Sequence, residues 1–278
     1  MLFEQITIVG VGLIGGSIGL ATRARSAAGY VVGTGRDANN LAKAQALGAI
    51  DHGTTNLAEA VAGSDLIVVC TPVDRIASTI LAAAPHCDPG AIFTDGGSTK
   101  QNIVSAVAAK LPPHLAFVPA HPLAGSEKNG VEHARADLFE NRLTILTPLE
   151  QDAAAERVAA FWKALGCRIH VMSPEAHDQA LAGTSHLPHA VAAAVSGITP
   201  IEWLPLSAGG FRDVTRIAGG DPELWTAIFR ANRDAVLTAL SRFTSRLDEF
   251  RRLLDTGDGA GLQRWLAEAK QVRDALGT

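Results

Sequence analysis

The sequence predicts an α/β chain in two parts, a doubly wound parallel sheet followed by an all-α half, and three observations support this. Continuous aliphatic and β-branched runs at residues 6–9, 30–33, 66–70 and 91–94 lack polar alternation, the pattern of strands buried on both faces. Helical stretches lie between them, and strands alternating with helices build a parallel sheet. From Pro174 onward such runs fade and 3.6-residue periodicity takes over, including residues 222–254 and 262–276. The boundary is therefore expected near Met172, with a sheet domain over 1–172 and a helical domain over 173–278.

Composition narrows the function classes. Of the 278 residues 47% are hydrophobic and 19% charged, enough apolar surface for a full core, which excludes a disordered chain. The formal net charge of −4, without a run of Lys or Arg, argues against nucleic acid and anionic membrane as partners. An anionic ligand must then be gripped by particular residues. Cys70, Cys87 and Cys167 are odd in number and widely spaced, which suggests neither a disulfide framework nor a thiolate metal site and fits a reducing cytoplasm. No charged leader or apolar run of spanning length is evident, so a soluble, unprocessed, cytoplasmic protein is expected.

Taken in order, the strand at 6–9 runs directly into Gly10-Val11-Gly12-Leu13-Ile14-Gly15 and a helix. Gly10 permits the tight turn, Gly12 lets backbone approach a pyrophosphate, and Gly15 lets helix and strand pack closely. Leu13 and Ile14 open the helix whose N–H groups would meet the phosphate, the arrangement of a Rossmann-type dinucleotide site. Such sites commonly end their second strand with an acid for the adenine ribose. Here the strand ends Thr34-Gly35-Arg36-Asp37, with no carboxylate at 35 to repel a 2′-phosphate and with Arg36 and the Thr34 hydroxyl able to bond one, which points to NADP. The alternative, NAD with Asp37 on the ribose, stays open at this point.

A helix over 39–47, capped by Asp37 or Asn39, ends at Gly48. The strand at 66–70 ends at Thr71-Pro72 and that at 91–94 at Asp95-Gly96-Gly97-Ser98. Ligands bind beyond the carboxyl ends of such strands, so Thr71, Pro72 and Ser98 are expected beside the nicotinamide, although Ser98 with Thr99 equally suits the N-cap of a helix beginning near Lys100. The apolar run 115–119 delivers His121 into a crevice, and Pro122, which lacks an N–H, stiffens its backbone. A strand at 143–147 can close the sheet, followed by a helix over 152–165 and a short strand over 168–171.

The helical half carries three polar clusters. Thr184-Ser185-His186-Leu187-Pro188-His189 sets two imidazoles at i and i+3, but no third ligand at metal spacing accompanies them, so no metal is expected. Gly209-Gly210-Phe211-Arg212-Asp213-Val214-Thr215-Arg216 ends in an Arg able to fork onto a carboxylate. Asp221-Pro222-Glu223-Leu224-Trp225 opens a helix with Asp221 as cap.

Together these motifs resemble the prephenate and arogenate (cyclohexadienyl) dehydrogenase family. The resemblance spans nearly the whole chain and rests on residues 10–17, Asp95-Gly96-Gly97-Ser98-Thr99-Lys100, His121-Pro122-Leu123-Ala124-Gly125, Ser185-His186-Leu187-Pro188-His189, and residues 209–225, in the family's order. It implies a Rossmann domain, a helical dimerisation domain, and oxidative decarboxylation of a cyclohexadienol dicarboxylate with hydride transfer to NADP or NAD, in tyrosine biosynthesis. By the same resemblance His121 is the catalytic base, Ser98 helps orient it, and Arg216 binds a substrate carboxylate. Ser126, Glu127, Ser185 and His189 line the pocket, Arg212 or Lys128 assists with charge, and Trp225 reaches into the partner's site of a homodimer. The competing readings are another two-domain NADP oxidoreductase, of β-hydroxyacid dehydrogenase or imine reductase type, and a non-catalytic dinucleotide-binding redox sensor.

Overall fold

The computed structural model describes residues 1–125, 128–150 and 152–277. Six parallel strands, β1 (Phe3–Val9), β2 (Ala28–Thr34), β3 (His52–Thr54), β4 (Leu66–Val69), β5 (Ile92–Asp95) and β6 (Ala116–Phe117), form one sheet in the order β3-β2-β1-β4-β5-β6. The chain winds outward from β1 to β3, then restarts at β4 on the other side of β1. That reversal opens a crevice beyond the carboxyl ends of β1 and β4, where Gly10 and Thr71 lie.

Both faces of the sheet are covered, as the apolar runs require. Ile6, Ile8, Leu66 and Val68 pack with α1 (Leu13–Ala24) and with Val158, Phe161 and Trp162 of the later helix 153–164, while Leu41 and Ala44 of α2 (Ala38–Ala46) join the same core. Alternate residues Ile67, Val69 and Phe93 turn the other way, onto α3 (Leu57–Val61), α4 (Ile76–Ala83) and α5 (Gln101–Ala108). A fully buried Leu, Ile or Phe contributes about 1.5–3 kcal/mol, so this two-sided burial is the main force holding the sheet.

The strand at 143–147 does not close this sheet. Val118 still donates to the Phe93 carbonyl, but the next donor in register, Ala120 N–H, goes to the Asp95 carboxylate, and the Pro119 carbonyl on the other edge accepts from Thr147 N–H. The chain thus leaves at Pro119 for a separate three-stranded sheet of β7 (Ala120–Pro122), β8 (Leu143–Leu146) and β9 (Arg168–Val171). There β7 runs antiparallel to β8, with His121 opposite Ile145, and β9 runs parallel to β8. Helix α6 (Ala153–Ala164) connects β8 to β9, its N-terminus capped by Asp152.

Sheet gives way to helix after β9, yet the first compact unit runs on to Asn232; the second is Arg233–Thr278. Into the first unit fall α7 (Pro174–Leu181), a five-residue π turn (Ala182–His186), α8 (Leu187–Ile198), a 3₁₀ segment (Ile201–Leu206), α9 (Gly209–Thr215) and α10 (Pro222–Ala231). The second holds α11 (Arg233–Asp255) and α12 (Gly259–Asp274), packed on each other through Phe250 against Trp265 and Arg246 over the Trp265 ring. The helical stretch expected over 222–254 is therefore two helices. It breaks at Asn232, where the backbone leaves helical geometry and the buried side-chain amide lies against the Asp178 carbonyl and His186 Nδ1. Among the described residues no helix is long and apolar enough to cross a membrane.

Candidate active site

The glycine turn is shaped by close contacts. Gly10 sits at φ +96°, and an added Cβ there would lie 2.8 Å from the Cys70 carbonyl oxygen; a Cβ on Gly15 would lie 2.1 Å from the Gly10 carbonyl oxygen. Over Gly12 there is open space, and α1 starts there with no side-chain cap and no acid in its first turn. Its N–H groups are thus available to an anion. A cavity of about 1060 Å³ is lined by Arg36, Pro72, Arg75 and Thr99. The buried hydroxyls of Thr71 and Thr99 find no hydrogen-bond partner among the described residues. These features fit a nicotinamide dinucleotide. Thr34 is buried and its carbonyl accepts the Gly10 N–H at 2.8 Å, Gly35 is part-buried, and Arg36 is exposed at the cavity edge. Asp37 is the N-cap of α2, accepting from Asn39 N–H at 2.9 Å. Arg75 and Arg230, two further cations on this cavity, were not singled out from sequence, where a lone Arg carries no signal.

His121 lies within β7 rather than in a loop, and Asp95 is what fixes that strand. The Asp95 carboxylate, fully buried at the end of β5, accepts from Ala120 N–H at 3.0 Å, from Gly97 N–H at 2.9 Å, and from the buried Lys100 ammonium. Burial pushes the Lys100 pKa down, against the pull of Asp95. Ser98, between these anchored residues, is part-buried and lines neither this cavity nor the next. The cap of α5 is also not Ser98 or Thr99. The carboxylate of Asp178, on α7, takes that place, accepting from Lys100 N–H at 2.8 Å and Gln101 N–H at 3.0 Å.

Asp178 leads to the residues that sequence reasoning missed. His121 Nδ1 is 2.8 Å from His177 Nε2, and His177 Nδ1 is 2.7 Å from Asp178 Oδ1. All three side chains are buried. Burial, then the fields of His177, Lys100 and His186, hold the His121 pKa well below the ordinary imidazole value. A faint signal was present: in the helix 174–181 a His and an Asp occupy positions beside Leu181 on the face that the period assigns to the core.

A second cavity, of about 660 Å³, gathers most of the expected substrate residues: His121, Ser185, His189, Arg216 and Trp225. The π turn turns Ser185 towards it while His186 is buried and bonded to Asn232, so the two imidazoles of the 184–189 motif diverge. Burial leaves His186 with a pKa of about 4. His189 stacks on Trp225 at 3.4 Å between ring centroids. Trp225, expected to reach a partner's site, thus lines the cavity of its own chain. Burial lowers the His189 pKa, and the Arg216 charge adds to this. Arg216 is exposed at the cavity edge and has no ion-pair partner among the described residues. Arg212 is exposed on α9 and does not line the cavity; Ser126 and Glu127 lie outside the described residues. Asn129, Asp221 and Leu224 line both cavities, with Asn129 donating to Asp221 at 3.2 Å, so the Arg36 cavity and the His121 cavity share a wall.

This arrangement suits removal of a hydroxyl proton next to a hydride acceptor, with a cation for a carboxylate. The family model for the nucleotide-binding domain of prephenate dehydrogenase matches residues 18–171, and that for its dimerization domain matches residues 173–268. The glycine turn precedes the matched stretch and rests on its own geometry. A cyclohexadienyl dehydrogenase of Zymomonas mobilis is 36% identical, the alignment spanning 100% of this chain and 97% of the relative. Among solved structures, prephenate dehydrogenase from Aquifex aeolicus in complex with hydroxyphenyl propionate and NAD+ superposes with a TM-score of 0.90 at 32% identity, covering 98% of each chain. Synechocystis arogenate dehydrogenase does so with a TM-score of 0.82 at 32% identity, covering 98% of this chain and 100% of its own.

Proposed function

The chain belongs to the prephenate dehydrogenase family, and from that premise we propose that it oxidatively decarboxylates prephenate, arogenate or both in tyrosine biosynthesis, with His121 as the general base. The observation that carries this reading is the placement of His121. Its Nδ1 is taken by His177, which leaves Nε2 for a hydroxyl in the cavity that also holds Arg216. The dinucleotide held at the glycine turn supplies the hydride acceptor. His121 Nε2 takes the hydroxyl proton as the carbinol carbon loses hydride and becomes a dienone carbonyl. Loss of CO₂ sends the C–C bond electrons through the ring to that carbonyl oxygen, which regains the proton from His121 as the phenol forms. Arg216 holds a carboxylate, and His189 stacked on Trp225 walls the ring, with Ser185 beside them. Aromatisation drives the step.

We infer NADP as the favoured cofactor. Gly35 presents no carboxylate, Arg36 lines the cleft, and the Asp37 carboxylate is engaged in capping α2. A homodimer is the working assembly, supported by the match to the dimerization domain and by exposed Ile198, Ile201, Trp203 and Leu206. The three cysteines are free thiols, in keeping with a cytoplasmic site of action. No lysine lines either cavity among the described residues, and the buried Lys100 is bound to Asp95, so no observation favours a lysine-dependent hydroxyacid dehydrogenase.

Initial rates of the pure protein, with prephenate and arogenate each crossed with NADP and NAD, test the reading. Turnover with at least one pair is expected, and binding of dinucleotide without turnover would identify a sensor instead. His121→Asn should fold and bind dinucleotide but lose roughly 10²–10⁴-fold in kcat. A variant with wild-type kcat at saturating substrate would remove His121 from the mechanism.

A further inference from the structure

We propose that His177, held by Asp178, is the positioning residue that fixes the tautomer of His121 and supports its charged form during proton transfer; this rests on the proposed role of His121 as base. Asp178 accepts two backbone N–H bonds, from Lys100 and Gln101, at 2.8 and 3.0 Å, and so has only lone pairs to offer His177. The hydrogen in the 2.7 Å contact must therefore sit on His177 Nδ1. That leaves a lone pair on His177 Nε2. The 2.8 Å contact to His121 then needs its hydrogen on His121 Nδ1, and His121 Nε2 carries the lone pair that a base requires.

Without this constraint the opposite arrangement is equally good for the histidine pair alone. With hydrogen on His177 Nε2, His121 would accept at Nδ1 and bear its own hydrogen on Nε2, facing the substrate with a donor. A carboxylate at the far end excludes that state. When His121 Nε2 takes the hydroxyl proton, the new imidazolium still donates through Nδ1 to the lone pair that the Asp178 contact leaves on His177 Nε2. The proton stays on His121 until the phenol oxygen reclaims it, so nothing is released to solvent. Besides His177 from α7, the groups facing His121 are Lys100 ahead of α5, whose ammonium has no lone pair, and His186 from the π turn, whose Nδ1 is engaged with Asn232, so neither replaces this acceptor; Asp95 is occupied by Ala120, Gly97 and Lys100. His177 does not line the substrate cavity, so it acts through His121.

The test combines a spectrum with kinetics. Side-chain ¹⁵N NMR of the wild-type protein without substrate, above the His121 pKa, should show His121 with hydrogen on Nδ1. In His177→Leu the preference should pass to Nε2–H or to a mixture, kcat should fall on the order of 10–10³-fold, and KM should change little. His177→Gln, whose amide oxygen can accept from Nδ1, should recover part of the lost kcat. Asp178→Ala, which removes the acceptor on His177 Nδ1, should give the same spectral change and keeps the test alive if His177→Leu does not fold. A wild-type His121 bearing hydrogen on Nε2 overturns the proposal, as does a folded His177→Leu with wild-type kcat. The tautomer is read without turnover, so an absence of activity on both substrates would fail the proposed function separately.

Discussion

Placing a carboxylate at position 35 tests which dinucleotide the chain reads. β2 ends at Thr34, and residue 35 follows at the lip of the crevice. An added Cβ there meets nothing nearer than Leu41 Cδ2 at 4.0 Å, so Gly35→Asp enters without displacing backbone and its effect is one of charge. A carboxylate about 6 Å from a 2′-phosphate bearing about two charges costs NADP about 3 kcal/mol at an effective dielectric constant of about 40. The same carboxylate can accept from the ribose 2′-hydroxyl of NAD, worth about 1 kcal/mol. Solvent at this edge screens both, so the expected swing in the ratio of kcat/KM values is roughly 10²-fold towards NAD. The assay is kcat/KM for each dinucleotide at saturating substrate, for wild type, Gly35→Asp and Arg36→Ala. Wild type should favour NADP about tenfold or more, and Arg36→Ala should lose most of that through KM for NADP alone. A wild-type kcat/KM for NAD equal to or above that for NADP, or a Gly35→Asp variant with an unchanged ratio, refutes the reasoning and returns the ribose to Asp37.

Arg216→Ala should raise KM for substrate with kcat within a few-fold; because the guanidinium is exposed, the loss should be about 1–3 kcal/mol, below that of a desolvated pair, and an unchanged KM would make it a surface charge. The active form of His121 is neutral and its pKa is held down by burial, so kcat/KM should stay level through pH 6.5, where an ordinary imidazole has lost about half its base; a midpoint at 6.5 would count against a buried base. Stability has the same sign: below pH 6.5 the unfolded chain takes up protons that the folded chain refuses until about pH 4 at His186, so Tm should fall across that window, and a Tm flat from 6.5 to 4 would contradict it. Light scattering should give twice 29.0 kDa, and a concentration-independent species of 29.0 kDa would remove the dimer.

The sheet was legible in the sequence because each of its long strands is buried on both faces and therefore reads as an unbroken apolar run, with a glycine turn to give the first one its place. The run at 143–147 carries the same local signal, yet its sheet is decided by two distant facts: Asp95 captures Ala120, and the Pro119 carbonyl takes Thr147 N–H. The helix break at Asn232 is hidden in the same way, since the apolar period continues through it and the side chain's contacts lie at Asp178 and His186.

The site divides along the same line. His121 and Arg216 are readable because the chemistry demands their types, His189 and Ser185 through the family resemblance, and the fold brings all four to one cavity. His177 and Asp178 sit in an ordinary capped helix, and their meaning appears only when His121, 56 residues away, arrives against them. Asp178 shows why such residues are hard to read. One carboxylate caps α5, orients His177 and, through it, sets which nitrogen of His121 is free. A neutral amide at that position would have to turn its NH₂ towards either a backbone N–H or the His177 ring, so the α5 cap and the free nitrogen of His121 cannot be altered independently.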